Sequence, residues 1–197
     1  MKNVYIVAAQ RSPLTKAKKG SFANFRPDEL LAQVINKTVA KSGVKPEDVG
    51  DVVIGCAFPE AEQGLNIARV AALLAGMPDC VPGLTINRYC SSGLNSVAIA
   101  ANSIATGQFD VAIAGGVESM SMIPMGGNDY PISPEVFTKD ENVAISYGMG
   151  ITAEKVAEQW KVSREEQDKF AVSSHKKANQ AQIDGLFKDE ILPIDIT

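Results

Sequence analysis

Apolar positions along the chain alternate between two kinds of spacing. Residues 4–9 form a short, nearly unbroken apolar run and read as a strand. Over residues 28–41, Leu30, Leu31, Val34, Ile35 and Val39 recur at helical spacing. Pro27 suits the first turn of that helix, and Ser42-Gly43 stops it. A short helical turn starts at Lys45-Pro46-Glu47-Asp48. Residues 51–57, DVVIGCA, read as a buried strand. Asn66 is placed to cap a helix running to Leu74, which Gly76 and Pro78 end. Residues 84–89 form the next strand. Residues 91–106 form a helix rich in Ala and Ser, stopped by Gly107, and residues 111–114 a strand ending at Gly115-Gly116. The order β-α-β-α-β-α-β defines an α/β fold, with a mainly parallel sheet and helices on both faces. Gly93, Ser96, Ala98, Ala100, Ala101 and Ala105 occupy much of the circumference of the 91–106 helix, which predicts close packing on several sides.

The pattern changes after Glu118. Met120, Met122 and Met125 cluster with Pro124, Gly126 and Gly127, and no clean period returns until about residue 150. Residues 119–150 therefore read as a long, partly ordered excursion. Thr152 is placed to cap a helix over 153–160. Ser163-Arg164-Glu165-Glu166 is a capping box for a helix reaching Ile183, which Gly185 ends. Residues 190–194 look extended. This divides the chain at residue 118, into a sheet domain (1–118) and a second region (119–197).

Composition narrows the function classes. The chain has 197 residues, 45% of them hydrophobic, enough for a sizeable core. The net charge of -4 argues against a nucleic-acid binder, whose footprint is basic. No apolar run approaches the roughly 18 residues that a membrane span needs. Neither a signal peptide nor an Arg-rich presequence is visible, so the expected location is cytoplasmic. Three cysteines with no C-x-x-C pair fit free thiols in a reducing compartment. No cluster has metal-ligand spacing, and no metal is expected. The single histidine, His175, sits in a polar helical segment and reads as a solvated position.

Cys90 carries the chemistry. It stands where a strand meets the 91–106 helix, and the N–H groups and dipole of a helix N-terminus favour an anion. The thiolate is the nucleophilic form, so this junction suggests covalent catalysis. On spacing alone, a packed small hydrophobe is the competing reading. Cys56 and Cys80 read as packing and as incidental. Gly115-Gly116 lacks the spacing of a phosphate loop and suggests a close backbone approach instead.

The run Asn87-Arg88-Tyr89-Cys90-Ser91-Ser92-Gly93 resembles the active-site signature of thiolases. Gly115-Gly116-Val117-Glu118-Ser119-Met120-Ser121 and Met149-Gly150-Ile151-Thr152-Ala153-Glu154 resemble further stretches of that family. So do Val7-Ala8-Ala9-Gln10-Arg11-Ser12-Pro13 and Gln63-Gly64-Leu65-Asn66-Ile67-Ala68-Arg69. The five matches are collinear and span nearly the whole chain.

The resemblance implies a thiolase-like fold: its N-terminal half, followed by part of the helical loop domain that covers CoA. It implies a CoA-dependent acyltransferase that cleaves 3-ketoacyl-CoA to acetyl-CoA and a shortened acyl-CoA, as in fatty-acid β-oxidation. Cys90 would be the nucleophile, the acylated residue and, through its backbone N–H, an oxyanion donor. Met149 would line the acyl end of the pocket. Met120, Met122 and Met125 either line an acyl tunnel or fill gaps. Lys16, Lys18 and Lys19 could touch CoA phosphates, though a solvated surface is favoured. Coenzyme A enters as substrate, with no permanently bound cofactor. A homodimer or tetramer is expected.

Arg26-Pro27-Asp28-Glu29-Leu30-Leu31 and Pro124-Met125-Gly126-Gly127 lean toward the degradative 3-ketoacyl-CoA type. Gly148 stands where the acetoacetyl-CoA type often carries histidine. The alternatives are a biosynthetic thiolase, a β-ketoacyl synthase-like condensing enzyme, or a non-catalytic split subunit. Thiolase subunits are about twice this length. Their C-terminal half, with its activating histidine and second cysteine, has no counterpart here, so the chain alone is expected not to turn over. A separate C-terminal half would then be a partner.

Overall fold

In a computed structural model, residues 2–129 and 132–196 are described. Strands β1 (Asp51–Gly55), β2 (Gly83–Ile86) and β3 (Ala112–Gly116) form one parallel sheet in the order β2-β1-β3. Helix α1 (Pro27–Ser42) precedes β1, α2 (Ile67–Leu74) joins β1 to β2, and α3 (Ser92–Thr106) joins β2 to β3. The chain thus winds from β1 to one side and then crosses back to the other. Such a reversal opens a crevice at the carboxyl ends of the strands.

Side chains alternate along β1, as a pleated strand requires. Val52, Ile54 and, just beyond the strand, Cys56 join a core with Leu31, Ile35 and Val39 of α1 and Ala68, Ala71 and Ala72 of α2. Each large aliphatic side chain taken out of water contributes roughly 1.5–3 kcal/mol. Gly55 points to the other face, where α3 lies. Helices cover both faces, as the pattern predicts.

Three expectations change. The fourth strand does not form: among the described residues, residues 4–9 join no ladder, and Tyr5, Ile6 and Val7 are 76%, 79% and 70% exposed. An apolar run fixes a preference for burial, but a strand also needs an edge to pair with. This segment is tethered instead at its start, by Lys2 N–H to the Ala105 carbonyl and by a Lys2–Asp110 ion pair. Helix α3 is enclosed on one side only. Ser92, Ser96 and Ala100 are buried against the sheet, while Leu94 is 74% exposed. Capping also differs. Asn66 takes the N-cap position of α2 without a capping bond and spends its side chain on the Gly83 carbonyl and the Thr85 hydroxyl.

The division at residue 118 falls earlier than the boundary set by contacts. Residues 2–129 and 190–196 form one unit and 132–189 another. Residues 119–129 stay with the sheet because Ser121 Oγ accepts from Lys18 N–H at 2.9 Å and Ile123 is buried. The C-terminal stretch returns because Arg11 pairs its backbone with Glu190 and Leu192. Gln33 on α1 exchanges two hydrogen bonds, both 2.9 Å, with the Asp195 backbone.

The second unit holds α4 (Met149–Trp160) and α5 (Arg164–Ile183), preceded by two 3-10 segments, Pro134–Thr138 and Asp140–Ser146. Gly148, not Thr152, is the N-cap of α4. The capping box at Ser163 and Glu166 is formed.

Candidate active site

The chain leaves β2 at Ile86 and must turn sharply to start α3. Two side chains build the turn. Asn87 Oδ1 accepts from Tyr89 N–H at 2.8 Å, and its Nδ2 donates to the Ala57 carbonyl at 2.8 Å. Ser92 Oγ accepts from Arg88 N–H at 2.7 Å and donates to the Tyr89 carbonyl at 2.6 Å. These bonds hold Tyr89 at φ 47°, a left-handed conformation that costs a non-glycine residue on the order of 1–3 kcal/mol. The next residue is Cys90. It lies in the single 3-10 turn Tyr89–Ser91 that runs into α3, and it is exposed with a free thiol. Among the described residues its backbone N–H has no hydrogen-bond partner, so that donor is free for an incoming oxygen.

Close backbone contact seats the turn. A methyl group on Gly55 would overlap the Ser92 carbonyl carbon and lie 2.6 Å from the Gly93 nitrogen. A methyl group on Gly116 would lie 3.3 Å from both the Gly93 Cα and the Gly55 oxygen. Ser96 Oγ donates to the Gly115 carbonyl at 2.7 Å. The amino end of α3 therefore rests on bare sheet backbone, the close approach that Gly115-Gly116 suggested.

A polar cluster lies beside the turn, at the ends of β1 and β3. Gln63 is fully buried. Its Nε2 donates to Glu118 Oε1 at 2.7 Å and to the Phe58 carbonyl at 2.9 Å, and its Oε1 accepts from Ser119 N–H. Glu118 Oε2 accepts from Ala57 N–H at 2.7 Å. Burial, and then the nearby Glu118 charge, push the Cys56 thiol up to about 12, so it is not a nucleophile near neutral pH.

The sequence candidates separate clearly. Cys90 stands in the first unit, on the turn. Met149 is the first residue of α4 in the second unit and is 63% exposed. Cys56 is buried in the core, and Cys80 is exposed. His175 is an exposed position on α5, and Lys16, Lys18 and Lys19 are exposed. Met120 and Met125 are exposed and fill no core gap. Among the described residues, no group of three or more His, Cys, Asp or Glu could hold a metal ion. Sequence reasoning missed Asn87, Ser92, Gly55, Gln63 and Glu118 as builders of the site. Four of them lie in quoted motifs, but the motifs do not reveal which polar atoms meet.

A parallel α/β sheet with an exposed cysteine on a strained strand-to-helix turn, at the carboxyl ends of its strands, defines a domain of the doubly wound class. The sequence match is more specific: residues 4–197 fit the family described as Thiolase, N-terminal domain. The chain belongs to that family. It is 50% identical over 197 residues to the 3-ketoacyl-CoA thiolase of Bacillus subtilis (strain 168), covering 100% of this chain and 50% of that protein. It is 46% identical over 192 residues to the peroxisomal 3-ketoacyl-CoA thiolase 1 of Arabidopsis thaliana, covering 98% of this chain and 43% of that one. The crystal structure of the Bacillus anthracis acetyl-CoA acetyltransferase matches with a TM-score of 0.83 and 37% identity, over 98% of this chain and 50% of that chain. The chain thus spans about half the length of these relatives.

Proposed function

We propose that this chain supplies the nucleophile of a 3-ketoacyl-CoA thiolase, with Cys90 as the residue that carries the acyl group. One observation carries the reading: the Asn87–Gly93 run folds into a turn that presents a free thiol and a free N–H together. In the first step the Cys90 sulfur attacks the 3-keto carbon. The oxygen becomes an oxyanion within reach of the Cys90 N–H. Collapse re-forms the carbonyl and breaks the bond between the α and β carbons. The electron pair leaves on the α-carbon, which takes a proton and departs as acetyl-CoA. A CoA thiolate then attacks the Cys90 thioester and leaves as the shortened acyl-CoA, returning the cysteine thiolate. Two thioester-level steps replace one difficult carbon–carbon cleavage.

The subunits pair as homodimers or tetramers, and the free thiols suit the cytoplasm. Among the described residues no base is hydrogen-bonded to the Cys90 thiol, so these 197 residues by themselves are not expected to turn over. A CoA-dependent cleavage assay on a 3-ketoacyl-CoA tests this. Activity is expected only when a second half is supplied. Condensation of a malonyl thioester without CoA-dependent cleavage would indicate a β-ketoacyl synthase instead.

A further inference from the structure

We infer that Gln63 and Glu118 are positioning residues for Cys90, acting through Ala57 and Asn87. The inference rests on the proposal that Cys90 is the reacting residue.

Backbone pairing continues one step past the sheet, with Cys56 N–H to the Ile86 carbonyl and Val117 N–H to the Gly55 carbonyl, both 3.0 Å. This brings Ala57, Asn87 and Glu118 together, one from the end of each strand. Ala57 is held from both sides. Its N–H donates to Glu118 Oε2 at 2.7 Å, and its carbonyl accepts from Asn87 Nδ2 at 2.8 Å. The other end of the Asn87 amide holds the Tyr89 N–H at 2.8 Å. A continuous line of hydrogen bonds therefore runs from Gln63 to the residue before Cys90.

Each member has a defined task. Gln63 is fully buried, so its amide must be satisfied inside the protein. It orients Glu118 by donating to Oε1, and it fixes the chain after Glu118 by accepting from Ser119 N–H. Glu118 is exposed, yet each of its oxygens accepts a hydrogen bond. A carboxylate that accepts both bonds is a stronger and better directed anchor than a neutral group. What it anchors is the post-β1 loop, against which Asn87 pulls the Tyr89 backbone into its left-handed conformation. Released from Asn87, Tyr89 would relax toward ordinary backbone angles. Cys90 would then leave its place at the start of α3.

The three cysteines report on this directly. In the full chain, iodoacetamide labelling followed by peptide mass mapping gives a rate at each one. Cys80 is an exposed control, and buried Cys56 reports loss of folding. Glu118→Gln keeps the side-chain volume but turns one oxygen into an NH2, so either Ala57 N–H or the Gln63 amide loses its acceptor. The expected result is a fall of about tenfold in the Cys90 to Cys80 rate ratio, the order of one charge-assisted hydrogen bond, with Cys56 still protected.

A ratio within about twofold of the parent, with Cys56 protected, overturns the inference on that scale. So does a parent chain in which Cys90 labels no faster than Cys80. If Glu118→Gln exposes Cys56, Asn87→Ala, at an exposed position, decides by the same two outcomes. Labelling needs neither CoA nor substrate. If no 3-ketoacyl-CoA is cleaved even with a second half supplied, but Cys90 labelling falls in these variants, the positioning role stands and the proposed function fails. Cleavage with unchanged labelling does the reverse.

Discussion

Cys90 and Cys56 are the same residue type in opposite environments. Cys90 is exposed at the start of a helix, whereas Cys56 is buried beside Glu118. With a second half supplied, Cys90→Ala should lower thiolysis by roughly 10³-fold or more, read as initial rate at saturating CoA, if Cys90 is the proposed nucleophile. For Cys56 the consequence is stability. The folded chain keeps this thiol protonated up to about 12, while the reference thiol ionises near 9.0. Its contribution is therefore complete below about pH 9 and is lost as pH rises toward 12. Melting temperatures at about pH 8 and about pH 10.5 should fall more steeply for the parent than for Cys56→Ala. Equal slopes would show that Cys56 ionises as freely when folded. The sequence separated the two by place: Cys56 ends an apolar strand and is buried, and Cys90 stands between a strand and a helix and is exposed. It did not reveal the partners of the turn. Asn87 and Ala57 are thirty positions apart, and their bond exists only because β1 and β2 pair in register.

At the scale of elements, the close approach of α3 to β1 is the most demanding contact. Gly55→Ala places a methyl group on the Ser92 and Gly93 backbone, which cannot move as a side-chain tip can. The expected outcome is a loss of about 1–3 kcal/mol in urea unfolding, with slower Cys90 labelling. Unchanged stability and labelling would mean that α3 has room to shift. The capping box of α5 is a separate, local device: Ser163 Oγ accepts from Glu166 N–H, and Glu166 Oε2 accepts from Ser163 N–H. Ser163→Ala should cost about 1 kcal/mol of helix stability, seen as faster amide exchange at the start of α5, with no change at Cys90. This box was legible because its donors and acceptors lie three residues apart. The helices and the three paired strands were legible for the same reason, since their signals are local. The Val4–Ala9 run carried the same apolar signal but has no ladder partner. Pairing is a property of two segments, and one segment's sequence does not state it.

Across the whole molecule, the order β2-β1-β3 brings distant motifs to one edge. Sequence distance is large, with Gln63 and Glu118 fifty-five positions apart, yet their side chains meet at 2.7 Å. The collinear motifs revealed the family but not this convergence, which follows from the winding reversal at β1. The second unit, with exposed faces on α4 and α5, contains Met149 and His175. The sequence bounded α5 by its capping box but started α4 at residue 153 rather than Met149, and the return of residues 190–196 to α1 gave no local signal. That return depends on Gln33 and Arg11, far upstream. The account as a whole stands on the chemistry of one residue in this arrangement. Its most direct test is to mix the protein, with a second half supplied, with a 3-ketoacyl-CoA, quench, and map the acyl group by peptide mass. The acyl group is expected on Cys90 and on neither Cys56 nor Cys80. Cleavage of the substrate with Cys90 unmodified throughout, or an acyl group mapped to another residue, would contradict the account.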